Sequence, residues 1–350
     1  MLGTAFSIEQ RLAIFILRVA IKSIWVFDFV VLHPRQVVIK RLIPLFLALF
    51  YGAFIGYVLY FVPHIQDIAR GVLEAPLAGF ITDSPYLTGL MEKEDYPVLI
   101  NDFPPPQATT TATLVMDKGN NKVLYEKDSE VRLAPASTTK LMTAMVALDI
   151  YETDEILEIP AFCQDVEGTK AWLPGWTKFK VEDLLYALLV NSSADAACAL
   201  SNGKYPPQDF IWRMNRKASD IGMSDTFFTN TIGLDGVEGS HYSTAKDLYK
   251  LALKSMSNAT IRKIVSTEEY DVLDVDGAYV TTLTNTNQLL WDISQTIGVK
   301  TGTTEAAGEV LIYEYKDGPI NLVIIVMGSE DRFFDTSNLL YWALSKYSWE

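Results

Sequence analysis

Apolar and polar positions divide this chain into sharply different stretches. Ile43 to Val62 is a continuous apolar and aromatic run of 20 residues, and no formally charged side chain occurs from Leu42 to Gln66. A run of that length spans a bilayer core as a helix. Tyr51, Tyr57, Tyr60 and Pro63 gather towards its far end, as an aromatic belt does. Upstream, residues 7–31 are apolar but interrupted by Arg11, Arg18, Lys22 and Asp28, with the three cations on one helical stripe. This predicts an amphipathic helix lying on a membrane surface. Arg35, Lys40 and Arg41 precede the apolar run and Asp67 follows it. The excess of cations places the N-terminus in the cytoplasm and everything after Pro63 outside.

Beyond the run the pattern changes again. Pro63, Pro76, Pro85, Pro97 and the triplet Pro104-Pro105-Pro106 mark a linker with short ordered patches, ending in a stiff spacer. The expected organisation is a cytoplasmic or interfacial segment at 1–41, a transmembrane helix at 42–63, a proline-rich linker at 64–107 and a globular domain at 108–350. In that domain, apolar residues at 113–116 and 122–125 flank the turn Asp117-Lys118-Gly119-Asn120-Asn121, which predicts a β-hairpin. Helical patterns follow at 137–148, at 181–190 (broken at Asn191-Ser192-Ser193 and resumed at Ala194), at 210–221 and at 243–256. Strand patterns come at 268–274, 278–283, 296–301, 308–315 and 319–327, before a final helix near 335–347. Helices in the middle and strands at both ends predict an α+β fold, one sheet closed by sequence-distant strands with a helical lobe inserted.

One helix carries unusual chemistry at its start. From Leu141 no charge appears until Asp149, so this helix is expected to be buried on all sides, with Pro135 just before it. Ser137 and Lys140 are three residues apart, hence on one face and within reach of each other. A buried lysine, or one near another cation, loses its proton more readily. It can then take the proton of a serine hydroxyl. The helix N-terminus adds positive potential where an oxyanion would form. Ser-x-x-Lys also occurs at Ser201–Lys204 and Ser243–Lys246. The first sits in a turn. The second overlaps a helix cap made by Thr244 with Asp247.

Composition narrows the choices. The net charge of −14 is split: residues 1–66 hold six Lys/Arg and two acids (+4), leaving −18 on the rest. An acidic body argues against a nucleic-acid partner. Cys163 and Cys198 could pair if the domain is extracytoplasmic, but Cys198 lies in an Ala-rich apolar run and reads as a buried free thiol. Of three histidines only His241 lies in the globular part, and it reads as a loop or cap residue, so a Ser-His-Asp triad is not expected. No Cys/His cluster suggests a metal and no glycine-rich loop suggests a phosphate-bearing cofactor. Trp172, Trp176 and Trp212 read as core or groove walls, and Asp195 as a cap or network acceptor.

Three segments occur in one order: Ser137-Thr138-Thr139-Lys140, Ser192-Ser193-Ala194 followed by Asp195-Ala196, and Lys300-Thr301-Gly302-Thr303. Flanking text includes Gly233-Leu234-Asp235, His241-Tyr242-Ser243-Thr244-Ala245 and Thr284-Asn285-Thr286-Asn287. Together these resemble the serine D-alanyl-D-alanine carboxypeptidases, the low-molecular-mass penicillin-binding proteins, over about residues 108–345. The resemblance implies a β-lactamase/transpeptidase-like fold, a central antiparallel sheet flanked by helices. It implies a peptidoglycan stem peptide ending in D-Ala-D-Ala as substrate, β-lactams as inhibitors, and no cofactor. By position, Ser137 is the nucleophile, Lys140 its base and Ser192 a member of the proton network. Lys300 and Thr301 hold the substrate carboxylate, Gly302 lets a peptide lie along the strand edge, and the N–H groups of Ser137 and Thr303 form the oxyanion hole. One departure stands out: the family's middle motif is Ser-x-Asn, and Ala194 replaces the asparagine. A binding protein with impaired catalysis is therefore a second reading, with Asn191 a candidate substitute for the missing amide. A β-lactamase is a third, without a convincing glutamate motif to activate water.

Overall fold

Strand alternation decides what each face of the sheet covers. The computed structural model describes residues 97–349. The expected amphipathic helix, transmembrane helix and most of the proline-rich stretch lie outside the described residues. Among the described residues, no helix is long and apolar enough to cross a membrane.

The elements run β1 (Val98–Leu99), β2 (Ala112–Asp117), β3 (Lys122–Lys127), α1 (Thr139–Ile150), β4 (Ile156–Glu158), β5 (Lys178–Lys180), α2 (Val181–Leu189), α3 (Ala194–Asn202), α4 (Pro207–Asp220), α5 (Ala245–Met256), α6 (Ala259–Val265), β6 (Glu269–Leu273), β7 (Val280–Thr284), α7 (Leu289–Asp292), β8 (Thr296–Thr304), β9 (Gly308–Asp317), β10 (Ile320–Ser329), α8 (Arg332–Lys346) and β11 (Tyr347–Ser348). Five strands form the central antiparallel sheet in the order β3-β2-β10-β9-β8. As expected, strands from opposite ends of the chain close it: Leu114 pairs with Ile325 and Met116 with Val323.

Both faces of this sheet are covered. On β2, Ala112, Leu114 and Met116 enter one core while Val115 enters the other. On β10, Val323, Ile325 and Met327 go one way, and Leu322, Ile324 and Val326 the other. Two-sided burial explains why these strands read as continuous apolar runs. The α8 side chains Leu339, Leu340 and Ala343 fill the smaller core. The larger core holds α1 to α6, with Thr139 to Ala147 of α1 buried all round. A helix with no polar face must sit inside its lobe, which places Lys140 there too.

Short elements were not legible as patterns. The two-stranded ribbon β4–β5 has three residues a side, too few to show alternation. One ordered patch of the proline-rich stretch is β1, which pairs with β11. The Phe103 carbonyl beyond it accepts from Trp342 Nε1 and Lys346 Nζ.

The expectation of a free Cys198 thiol is overturned. Cys163 and Cys198 form a disulfide with their Cα atoms 5.6 Å apart. The alanine-rich side of α3 lets the 3₁₀ turn at Ala161–Asp165 approach closely enough to bridge. A separation of 35 residues gives no pattern from which to read such a contact. Replacing both cysteines by serine is expected to lower unfolding free energy by about 2–4 kcal/mol. Urea denaturation of the oxidised protein and the double variant measures this; equal midpoints would contradict a stapling role.

Candidate active site

The site forms where the start of α1 meets the edge of β8. Ser137 lies in a 3₁₀ turn, Ala136–Thr138, that leads into α1. Ala136 is forced to a φ of 49°, which turns the chain sharply before the serine. Lys140 occupies the first turn of α1, and its Nζ donates to Ser137 Oγ at 3.0 Å and to the Ile232 carbonyl at 2.6 Å. The ammonium is 2% exposed, and burial pushes its pKa down to about 7, against a smaller opposing pull from the Asp195 carboxylate. Half the lysine is therefore neutral near physiological pH and able to accept a proton.

Two glycines allow the turn to sit so close. At Gly302 on β8, a Cβ would lie 2.8 Å from the Ser137 nitrogen and 2.9 Å from Ala136 Cβ. At Gly233, with φ of +85°, a Cβ would fall 2.0 Å from the Ala136 carbonyl oxygen. The Gly233 loop also delivers the Ile232 carbonyl to Lys140. Asn230 organises it: its Oδ1 accepts from the N–H groups of Ile232, Gly233 and Leu234 at 3.2, 2.7 and 3.1 Å. Asp235 then fastens the loop to the end of β8 by accepting from Thr304 Oγ1 and from the Ala306 N–H.

Lys300, in the middle of β8, is 1% exposed and donates to the Thr301 carbonyl at 3.2 Å. Burial first, then the charges of Lys140 and Arg332, drive its pKa well below the ordinary lysine value. The Thr301 hydroxyl shares a hydrogen bond with Thr286 at 2.6 Å. Arg332, at the start of α8, was not identified from sequence. Its guanidinium donates to the Gly302 carbonyl at 2.6 Å, to Thr303 Oγ1 at 2.6 Å and to Glu309 at 3.1 Å. It thus holds the far end of Gly302-Thr303 in place. The one available signal was the Asp331 cap, which accepts from the Phe334 N–H and sets Arg332 in the first turn.

Ser192 is buried with a φ of 65°, and its Oγ has no hydrogen-bond partner among the described residues. Ala194 starts α3 and is fully buried, its N–H donating to the Thr169 carbonyl at 2.7 Å. A Cβ on Gly168 would lie 3.4 Å from the Ala194 methyl, so this segment is packed directly over it. Asn191 Oδ1 accepts from Ser193 Oγ at 3.0 Å. Asparagine at position 194 puts a larger, polar side chain into a fully buried position. Ala194→Asn is expected to destabilise by about 1–3 kcal/mol through overpacking. A thermal or urea transition at or above that of the unaltered protein would contradict that packing.

Asp195 is a fully buried network acceptor: it takes the N–H groups of Ala171 and Leu173 at 3.2 and 3.0 Å. His241 lies in a bend just before Tyr242, a loop position as expected, but it is not exposed there. It is 1% exposed, and its pKa is lowered to about 4 by burial. Its Nδ1 accepts from the Thr229 N–H at 3.0 Å, so Nε2 carries the proton and donates to Thr139 at 2.9 Å. A neutral histidine thus ties α1 to the loop that feeds Ile232. Trp172, Trp176 and Trp212 are not core residues; all three are exposed.

A central antiparallel sheet flanked by helices, with a Ser-x-x-Lys pair set against a Lys-Thr-Gly strand, defines the transpeptidase-like class. The family model for D-alanyl-D-alanine carboxypeptidase (peptidase S11) matches residues 101–331, and the chain belongs to that family. It is 29% identical to the D-alanyl-D-alanine carboxypeptidase DacF of Bacillus subtilis over 67% of this chain and 62% of that one. It is 32% identical to a D-alanyl-D-alanine endopeptidase of Escherichia coli over 68% of this chain and 78% of that one. The crystal structure of the Streptomyces K15 DD-transpeptidase superposes with a TM-score of 0.65 at 30% identity, covering 69% of this chain and 100% of that one.

Proposed function

We propose that this protein is a membrane-anchored serine D-Ala-D-Ala carboxypeptidase that acts on peptidoglycan stem peptides through an acyl-enzyme on Ser137. The observation that carries the reading is the 3.0 Å contact between Ser137 Oγ and a fully buried Lys140 whose pKa is lowered to about 7. Ser137 Oγ attacks the carbonyl of the penultimate D-alanine, and its proton passes to Lys140 Nζ. The N–H groups of Ser137 and Thr303 receive the oxyanion. The C–N bond breaks, the departing D-alanine amine takes a proton by way of Ser192, and water later releases the acyl group. Lys300 draws the terminal carboxylate to β8. If Thr286 donates within the Thr286–Thr301 pair, the Thr301 proton is free for the same carboxylate. Gly302, with no side chain, lets the 135–137 turn close onto β8, which keeps Ser137 beside the strand along which the peptide would lie. In this scheme β-lactams acylate Ser137 and inhibit.

The anchor rests on the apolar run at 43–62 and the cations before it. The Cys163–Cys198 disulfide supports an extracytoplasmic site, since such bonds persist in oxidising compartments. A second reading, a penicillin- and peptidoglycan-binding protein with impaired turnover, is favoured by Ala194 and by the unpartnered Ser192 hydroxyl. Incubation with a D-Ala-D-Ala-terminated peptide separates the two. Release of free D-alanine supports the carboxypeptidase, whereas penicillin labelling without any D-alanine supports the impaired binder.

A further inference from the structure

Between Phe162 and Trp176 the chain places three large apolar side chains in solvent: Phe162 is 59% exposed, Trp172 74% and Trp176 71%. Tryptophan is highly buried on average, so two tryptophans this exposed within five residues of chain call for an explanation. Trp172 is held out by its surroundings. Its neighbours Ala171 and Leu173 are buried, and both of their N–H groups donate to Asp195. The Tyr279 hydroxyl contacts the Ala171 and Trp172 carbonyls at 2.9 and 3.1 Å. The backbone adopts φ of 61° at Trp172 and 63° at Trp176, a left-handed conformation that bulky residues avoid and that clusters at functional sites. Neither indole N–H has a hydrogen-bond partner among the described residues. Lys170 Nζ lies 5.2 Å from the Trp172 ring centroid. The same segment is joined to the catalytic side of the lobe, through Thr169 to Ala194 and through Asp195, three residues after Ser192.

We propose that Trp172 and Trp176 form a saccharide-binding platform that takes the glycan to which a stem peptide is attached. A pyranose ring offers a face of C–H groups that packs on an indole and a rim of hydroxyls that can accept its N–H. Two outward tryptophans with free N–H groups suit that chemistry. An anionic lipid surface suits it less: residues 161–176 expose Asp165 and Glu167 against the single cation Lys170, and residues 67–350 carry −18. This assignment rests on the carboxypeptidase reading for its substrate, but the platform can be tested without turnover.

Calorimetric titration of the full chain with an N-acetylglucosamine tetramer is expected to show saturable binding, weakened at least tenfold in Trp172→Ala. Tyr279→Phe, which keeps the ring but drops the hydroxyl behind Trp172, is expected to weaken it by a smaller factor. In a second arm, kcat/KM is measured for a D-Ala-D-Ala peptide with and without its attached disaccharide. The ratio of the two is expected to fall tenfold or more in Trp172→Ala. Absence of saturable saccharide binding to the unaltered protein, or equal binding in Trp172→Ala, overturns the platform. Trp172-dependent binding to phosphatidylglycerol vesicles without saccharide binding overturns it in favour of a membrane contact. If neither peptide is cleaved, the carboxypeptidase reading fails and the titration alone decides the platform.

Discussion

Replacing Lys140 by methionine is expected to slow β-lactam acylation of Ser137 about a thousandfold while leaving the protein folded. A positioned general base typically contributes 10²–10⁴ in rate, and Lys140 is the basic group hydrogen-bonded to the Ser137 hydroxyl. Methionine keeps the apolar stem that fills the start of α1 and removes only the amine. The unaltered protein carries a matching pH signature. Lys140 is protonated below its pKa of about 7 and cannot accept a proton there. Acylation should therefore rise with pH through a midpoint near 7, and in the variant that limb should vanish. The same group shapes stability. Its native pKa is depressed, so between about 7 and the ordinary lysine value of 10.5 the unfolded chain binds more protons, and its contribution to stability rises with pH across that window. Stopped-flow acylation at several pH values checks both rate effects. A variant acylated within tenfold of the unaltered rate would remove Lys140 from the mechanism.

Gly233→Ala should be the most damaging single-methyl change in the molecule's site. The added carbon would fall 2.0 Å from the Ala136 carbonyl oxygen and 2.9 Å from the Ser137 nitrogen, both backbone atoms that no side-chain rotation can move. The residue also sits at φ of +85°, where a Cβ brings its own strain. The loop must retreat, taking the Ile232 carbonyl away from Lys140 and loosening the Asp235 tie to β8. Stability is expected to fall by about 3 kcal/mol or more, as for other backbone-incompatible substitutions. Acylation should fall at least tenfold even at temperatures where the variant remains folded. Thermal unfolding and penicillin acylation on one preparation test both parts, and an unchanged transition temperature would mean the loop is not packed on Ala136 as described.

What could be read from sequence follows from which interactions have a period. The all-round apolar pattern of α1 announced a buried helix, and the apolar runs of β2, β9 and β10 announced strands, whose burial on both faces the structure added. The closing of the sheet by β2 and β10 followed from having strands at both ends of the chain. The three short segments were visible because their residues carry chemistry at fixed spacing. The supporting residues were invisible for the converse reason. Arg332 holds Gly302 and Thr303 from 30 and 29 positions away, and Asn230 works through three backbone N–H groups. Neither belongs to a local pattern. His241 read as a loop residue, which it is, but its burial was not legible because its partners, Thr139 and Thr229, are brought to it only by the folded lobe. Cys163 and Cys198 looked unpaired because the contact between the 3₁₀ turn and α3 has no one-dimensional trace. Trp172 and Trp176 read as core or groove walls, and their exposure was not legible. Asp195 and Tyr279, remote in sequence, hold the backbone that turns Trp172 outward.

Peptide-mapping mass spectrometry of the folded full-length protein after exposure to benzylpenicillin tests the central relay most directly. A single penicilloyl adduct on the peptide containing Ser137, absent in Ser137→Ala, is the predicted result. No adduct on a folded protein, or an adduct that persists in Ser137→Ala, would contradict the assignment of Ser137 as a nucleophile activated by Lys140.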